Sequence, residues 1–302
     1  MRTILCYGDS NTWGSDPETR ERFAEDVRRP GVLRKRLGEE YRVIEEGLPG
    51  RTTVRDDPIE GDHKNGRTYL MACLESHRPI DLITLMLGTN DLKARFGGSA
   101  SDIAQGAASL ADMMLRSRCG PDGGSPVVVL ISPPAVATLT DMAQMFEGAE
   151  EKSRQFSGHY ERFAEQHGCE FFDASEVIVS SDVDGIHLDA GEHEKLGEAV
   201  AARIGDLRMS RRLKALLVGG PMYDPLYKRL AEFEESEGLM VETVVAPTHP
   251  DLNEQIEAEF TSGGASYDLI STHTKYAPSQ RQWLTPALED TEAAALRAAV
   301  GA

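Results

Sequence analysis

Three side chains in this sequence could together run acyl transfer. Ser10 ends the apolar run TILCYGDS, and Asp184 and His187 share the short stretch DGIH at 184–187. Acyl transfer needs a hydroxyl to attack, a base to take its proton, a group to orient that base, and donors for the oxyanion. Ser10 supplies the hydroxyl. His187 suits the base, because an imidazole near pKa ~6.5 takes up and returns a proton close to neutrality. Asp184 stands three residues before it and can hold the ring through its other nitrogen. Asn90 offers an amide NH₂ to the oxyanion. The backbone N–H groups of Ser10 and Gly50 can add two more donors, glycine letting a substrate approach the main chain closely. His193 competes as the base, but it falls in a helical pattern and no Asp lies three residues before it. Asp9 reads as structural, its carboxylate accepting local backbone bonds that shape the turn.

What must position these groups is a run of alternating strands and helices. Apolar strand signals fall at 3–7, 42–47, 81–87, 126–132 and 170–174, with helical patterns near 30–38, 66–77, 101–118, 147–167 and 191–207 between and after them. Asp102 is the expected N-cap of the third of these helices. Such alternation implies a parallel sheet covered by helices on both faces. In such sheets the site lies beyond the carboxyl ends of the strands. There stand Gly8-Asp9-Ser10-Asn11-Thr12, Gly47 to Thr53, Gly88-Thr89-Asn90-Asp91, Ser132-Pro133-Pro134 and, past a short loop, Asp184 to His187. A second segment opens near residue 210 and carries strands at 214–220, 239–246 and 267–272. Its first helix starts at Asp224-Pro225, and Leu252, Ile256 and Phe260 mark one stripe of the next. The Ala-rich TEAAALRAAVGA reads as a helix fraying at the end. The expected domains are 1–207 and 208–302.

Composition narrows the function classes. The chain has 302 residues, 40% apolar and 27% charged, as in an ordinary globular protein. Its formal charge of −18 opposes nucleic acids and anionic membranes. Arg208, Arg211, Arg212 and Lys214 form a short basic group without aromatic neighbours and read as a linker or helix end. No apolar run approaches the ~18 residues of a membrane span, and the short N-terminal apolar stretch is broken by Asp9, so a cytoplasmic protein is expected. Cys6, Cys73, Cys119 and Cys169 are scattered without a C-x-x-C pair, which leaves zinc and redox motifs unsupported. The acidic series at 182–189 fails the EF-hand pattern, no H-E-x-x-H occurs, and no metal site is expected. There is no G-x-S-x-G elbow, P-loop or G-x-G-x-x-G after a strand.

Together, GDSNT (8–12), the glycine of GLPGRTT (47–53), GTND (88–91) and DGIH (184–187) make residues 1–207 resemble the SGNH, or GDSL, hydrolase family. GDSNTWG, the EEG-x-x-x-RTT run, MLGTNDLK, ISPP and DGIHL are similar to its arylesterase/acyltransferase branch. The resemblance implies a flavodoxin-like three-layer α/β/α fold with a parallel sheet and no cofactor. It implies Ser10 as nucleophile, Asp184 and His187 completing the triad, and Ser10, Gly50 and Asn90 as the oxyanion hole. It also implies short acyl esters, aryl acetates among them, as small-molecule substrates, acyl transfer to alcohols in some members, and a homo-oligomer. Trp13, Lys93, Ile186 and Leu188 stand where that branch lines its substrate mouth. Residues 215–260 resemble the first part of a solute-binding protein of a sugar ABC transporter, without the second lobe. Three readings follow: a serine esterase, a carbohydrate acetylesterase whose tail steers acetylated sugars, and a carbohydrate-binding protein with an idle hydrolase scaffold.

Overall fold

A computed structural model of the chain describes residues 1–207, 212–220, 224–237, 240–261, 267 and 269–271. The chain divides into two compact units, Met1–Asp206 and Leu207–Ala302.

The first unit is built on five parallel strands in the order β2-β1-β3-β4-β5. They are β1 (Arg2–Gly8), β2 (Tyr41–Gly47), β3 (Leu82–Met86), β4 (Val127–Ser132) and β5 (Glu170–Asp173). The central strand β1 places Gly8 beside Gly47 of β2 and Met86 of β3, so three of the site's loops leave the sheet at one level. Side chains alternate across this sheet. Leu5, Tyr7, Ile83, Leu85, Val128 and Leu130 face a core shared with α3 (Gly66–His77), α4 (Ala100–Arg116) and α6 (Phe156–His167). On the other face lie α2 (Arg29–Leu37) and α7 (Ala190–Asp206). There Gly197 of α7 admits Val32 of α2, and Arg29 reaches Thr84 of β3. The central strands β1, β3 and β4 are therefore buried on both sides, which is why they read as apolar runs. Among the described residues no helix is long and apolar enough to cross a membrane.

Two helix expectations need correction. The N-cap of α4 is Ser99, and Asp102 sits three positions inside as the other half of a capping box. Ser99 Oγ accepts the Asp102 N–H at 3.1 Å and the Asp102 carboxylate accepts the Ser99 N–H at 3.2 Å. The helix expected at 147–167 is two helices, α5 (Ala149–Ser153) and α6. Ser153 Oγ donates back to the Glu150 carbonyl at 3.1 Å and accepts the Val136 N–H at 2.9 Å. The anchor ties the end of α5 to Val136, and the helical run breaks over Arg154 and Gln155 before α6 begins.

The second unit holds three parallel strands in the order β7-β6-β8. Its elements are β6 (Arg212–Val218), α8 (Asp224–Glu237), β7 (Met240–Ala246), α9 (His249–Thr261) and β8 (Leu269–Ile270). Leu216, Val218, Ala246, Leu252 and Ile256 form its apolar cluster. Arg212 and Lys214 lie within β6 rather than in a linker or helix end. The Ala-rich helix expected at the C-terminus lies outside the described residues.

Candidate active site

Ser10 opens α1 (Ser10–Trp13), a single turn directly after β1. Asp9 Oδ1 accepts the Asn11 N–H at 3.0 Å, fixing the sharp exit from the strand. Arg51 Nη1 donates to the Gly8 carbonyl at 2.8 Å and also to the Glu46 carbonyl, with its guanidinium over the Tyr7 ring. The loop after β2 thus holds the strand end that presents Ser10. Thr53 ties the same loop to the next one: its N–H and hydroxyl both donate to the Asp91 carboxylate, at 2.9 and 2.6 Å. Asn11 Nδ2 donates to the Ile186 carbonyl at 3.2 Å, which pins the Ser10 turn to the loop carrying His187. All four sequence blocks are therefore joined by direct bonds at one sheet edge.

Within that frame Asp184 is fully buried and completely engaged. Its Oδ1 accepts the N–H groups of Ile186 and His187, each at 2.9 Å, and its Oδ2 accepts His187 Nδ1 at 2.7 Å. Burial alone would raise this carboxyl, but the bonds from His187 and Ile186 outweigh it and hold it below its ordinary value. The ring is thereby fixed with Nδ1 on the acid and Nε2 free for proton transfer. Gly185 makes the tight loop possible: its φ is +81°, and a Cβ there would press on the Thr138 carbonyl. Ser10 and Asn90 are 5% and 7% exposed. No protein group holds the Ser10 hydroxyl among the described residues, so its bond to His187 is not closed here. Such bonds often tighten only when substrate binds. Gly50 has φ +80°, and a Cβ on it would collide with the Glu60 carboxylate.

His193 is not an alternative base. It is fully buried, its Nδ1 accepts the Arg29 N–H at 3.3 Å, and burial pushes its pKa down to about 3. The four expected mouth residues divide. Trp13 is partly exposed, with the Arg22 guanidinium 5.0 Å from its ring. Lys93 is only 3% exposed and is tied up by Glu60 and Asp57. Ile186 packs into the main core. Leu188 has no exposed surface, and its position in DGIHL does not by itself say whether it faces substrate or core.

Burial pushes Asp9 and Asp91 up to about 6 each. Both folded-state values lie above the unfolded one, so at these two sites the folded chain binds more protons than the unfolded chain between about pH 4 and pH 6. These two groups therefore cost stability as pH rises through that window. Asp9→Asn keeps a capping side chain and removes one of them. We expect its melting temperature to fall less than that of the parent between pH 4 and pH 6; an unchanged difference would place the titration elsewhere. The effect is bounded at ~3 kcal/mol.

Glu46, Cys73 and His77 bring three ligand-type atoms within 4.8 Å of one another. The His77 Nε2 to Glu46 Oε1 distance is 2.9 Å, and burial pushes the Cys73 thiol up to about 12. Burial keeps that thiol protonated against the pull of the nearby Arg51 cation, and the cluster reads as a hydrogen-bonded group of the core wall.

A five-stranded parallel sheet with an Asp–His pair and a serine turn bonded together at its carboxyl edge defines an SGNH-type ester hydrolase. The chain belongs to the GDSL-like lipase/acylhydrolase family, whose model matches residues 6–194. Solved structures agree. The M. smegmatis aryl esterase is 42% identical over 68% of this chain and 100% of its own, with a TM-score of 0.66. A carbohydrate acetylesterase from Sinorhizobium meliloti is 40% identical over 68% of this chain and 100% of its own, also at 0.66. A second carbohydrate acetylesterase family member from that organism is 37% identical over 68% and 97%, at 0.65. Among curated proteins no match was found.

The residues missed in the sequence are the ones that lace the loops together. Arg51, Thr53, Asp91 and Asn11 lie inside or beside the recognised blocks, and that position was the one signal the sequence held for them. Arg29 carried none. It is wholly buried, donating to Thr12 Oγ1 at 3.1 Å and Thr84 Oγ1 at 3.3 Å, and so ties α2 to the Ser10 turn.

Proposed function

We propose that the protein is a serine esterase of short acyl esters, aryl acetates included, working through an acyl-enzyme intermediate. Ser10 Oγ attacks the ester carbonyl while His187 Nε2 takes its proton. Asp184 keeps the ring in the tautomer that allows this and favours the imidazolium that forms. The N–H groups of Ser10 and Gly50 and the Asn90 amide receive the negative oxygen. His187 then protonates the departing alcohol. Water, or a second alcohol in acyl transfer, enters by the same route and releases the acid or a new ester. The observation that carries this reading is the 2.7 Å bond from His187 to a buried, fully engaged Asp184, on a loop bonded to the Ser10 turn.

The test is an acyl-length series of p-nitrophenyl esters. Acetate to butyrate should give the highest kcat/KM, and octanoate at least tenfold less. A preference for long chains would contradict the short-acyl assignment. A second reading, a carbohydrate acetylesterase, is supported by the two Sinorhizobium meliloti structures. Rates on acetylated sugars above those on phenyl acetate would favour it.

A further inference from the structure

One cation approaches the acid of the triad from outside the family blocks. Arg20 Nη1 lies 3.8 Å from Asp184 Oδ2, the same oxygen that accepts His187 Nδ1. Its other terminal nitrogen, Nη2, donates to Asp141 Oδ2 at 2.5 Å. The guanidinium therefore bridges the loop after α1, the loop after β4 and the DGIH loop. Its backbone is unusual as well, with φ +65° on a residue that has a side chain. A non-glycine residue in that region is disfavoured and persists only where its surroundings demand it. Here the demand is local and visible. The Asp16 carbonyl accepts the Arg20 N–H at 3.0 Å, the Asp16 N–H donates to the Glu21 carbonyl at 2.9 Å, and Ser15 bridges to Arg22. The loop is folded back on itself so that Arg20 points at Asp184.

A surface pair with Asp141 alone would be worth little, both side chains being about half exposed or more, at 48% and 62%. The contact with buried Asp184 is what gives the arrangement a consequence. Asp184 supports the proton-bearing form of His187, and a cation on the same oxygen offsets part of that support. We propose that Arg20 is a positioning residue that holds the DGIH loop and opposes protonation of His187 in the free enzyme, extending esterase activity toward lower pH. This rests on the triad reading given above.

Other charged groups face His187 too. Asp9 stands at the end of β1 with Arg51 behind it, and His193 on α7 has Arg29 of α2 beside it. These are unchanged when Arg20 alone is replaced, so they cancel in a comparison of variants.

The experiment is the pH profile of kcat/KM on phenyl acetate at low salt for the parent, Arg20→Gln, Arg20→Lys and Arg20→Gly. Glycine suits the positive φ and so separates backbone strain from side-chain charge. The acid limb should move up by about half a pH unit in the Gln and Gly variants. It should stay in place in the Lys variant, and the Gln shift should shrink in 0.5 M salt (about 4 Å screening length). Equal loss of rate at every pH, with the limb unmoved in Gln and Gly, would show a merely structural arginine and overturn the proposal. So would a Lys profile shifted as far as Gln. If the parent itself fails to hydrolyse the ester, or Ser10→Ala remains fully active, the triad reading has failed instead.

Discussion

Ser10→Ala should lower kcat on phenyl acetate by ~10⁴-fold or more, with KM changed little. The size follows from the geometry. Without Oγ there is no acyl-enzyme, and water must attack unaided while the remaining donors still polarise the carbonyl. A loss of that size is ~5.5 kcal/mol of transition-state stabilisation. The fold should not suffer, because no protein group holds the Ser10 hydroxyl among the described residues, while the turn is fixed by Asp9, Asn11 and Arg51. Circular dichroism and melting temperature close to those of the parent, beside the lost rate, are the expected pattern. Near-normal turnover would remove Ser10 from the mechanism.

The second large effect is expected from Asp184→Asn, ~10⁴-fold in kcat near neutral pH. Asp184 Oδ1 accepts two backbone N–H groups, and an amide oxygen can keep those bonds. The loop should therefore survive. What changes is the atom facing His187 Nδ1: an amide NH₂ donates where a carboxylate accepts. The ring then turns its acceptor nitrogen to the introduced amide and its N–H to the serine, so the base is lost. The rate should recover partly above about pH 9, where hydroxide can assist removal of the serine proton. A loss under about tenfold, with the fold intact, would mean that His187 is oriented by something other than Asp184.

How much of this is legible in the sequence depends on the kind of signal each residue leaves. The strand ends are readable because a doubly covered parallel sheet writes its strands as apolar runs, and because such a sheet gathers its loops at one edge. That is enough to bring Ser10, Gly50, Asn90, Asp184 and His187 to one edge from residue order alone. The bonds between loops are not written that way. Asp91 looks like a turn or helix cap, yet it is the buried acceptor for both donors of Thr53. Arg20 looks like one surface charge among many, and only the folded-back loop shows that it meets Asp184. Leu188 shows the converse: its motif position suggests a substrate wall, while packing puts it wholly inside. Helix ends are blurred for a further reason. Ser99 and Asp102 are both good capping residues, and only the reciprocal bonds decide which is the cap. After Ser153 the helical pattern continues past a break between α5 and α6 that the pattern does not encode.

The central claim is that Ser10 is the nucleophile. A fluorophosphonate probe reacts with an activated serine and stays bound to it. After labelling, digestion and mass spectrometry, the account predicts one stoichiometric adduct on the peptide that carries Ser10, greatly slowed in Asp184→Asn and absent in Ser10→Ala. An adduct on a different serine, or undiminished labelling of Ser10→Ala, would contradict it.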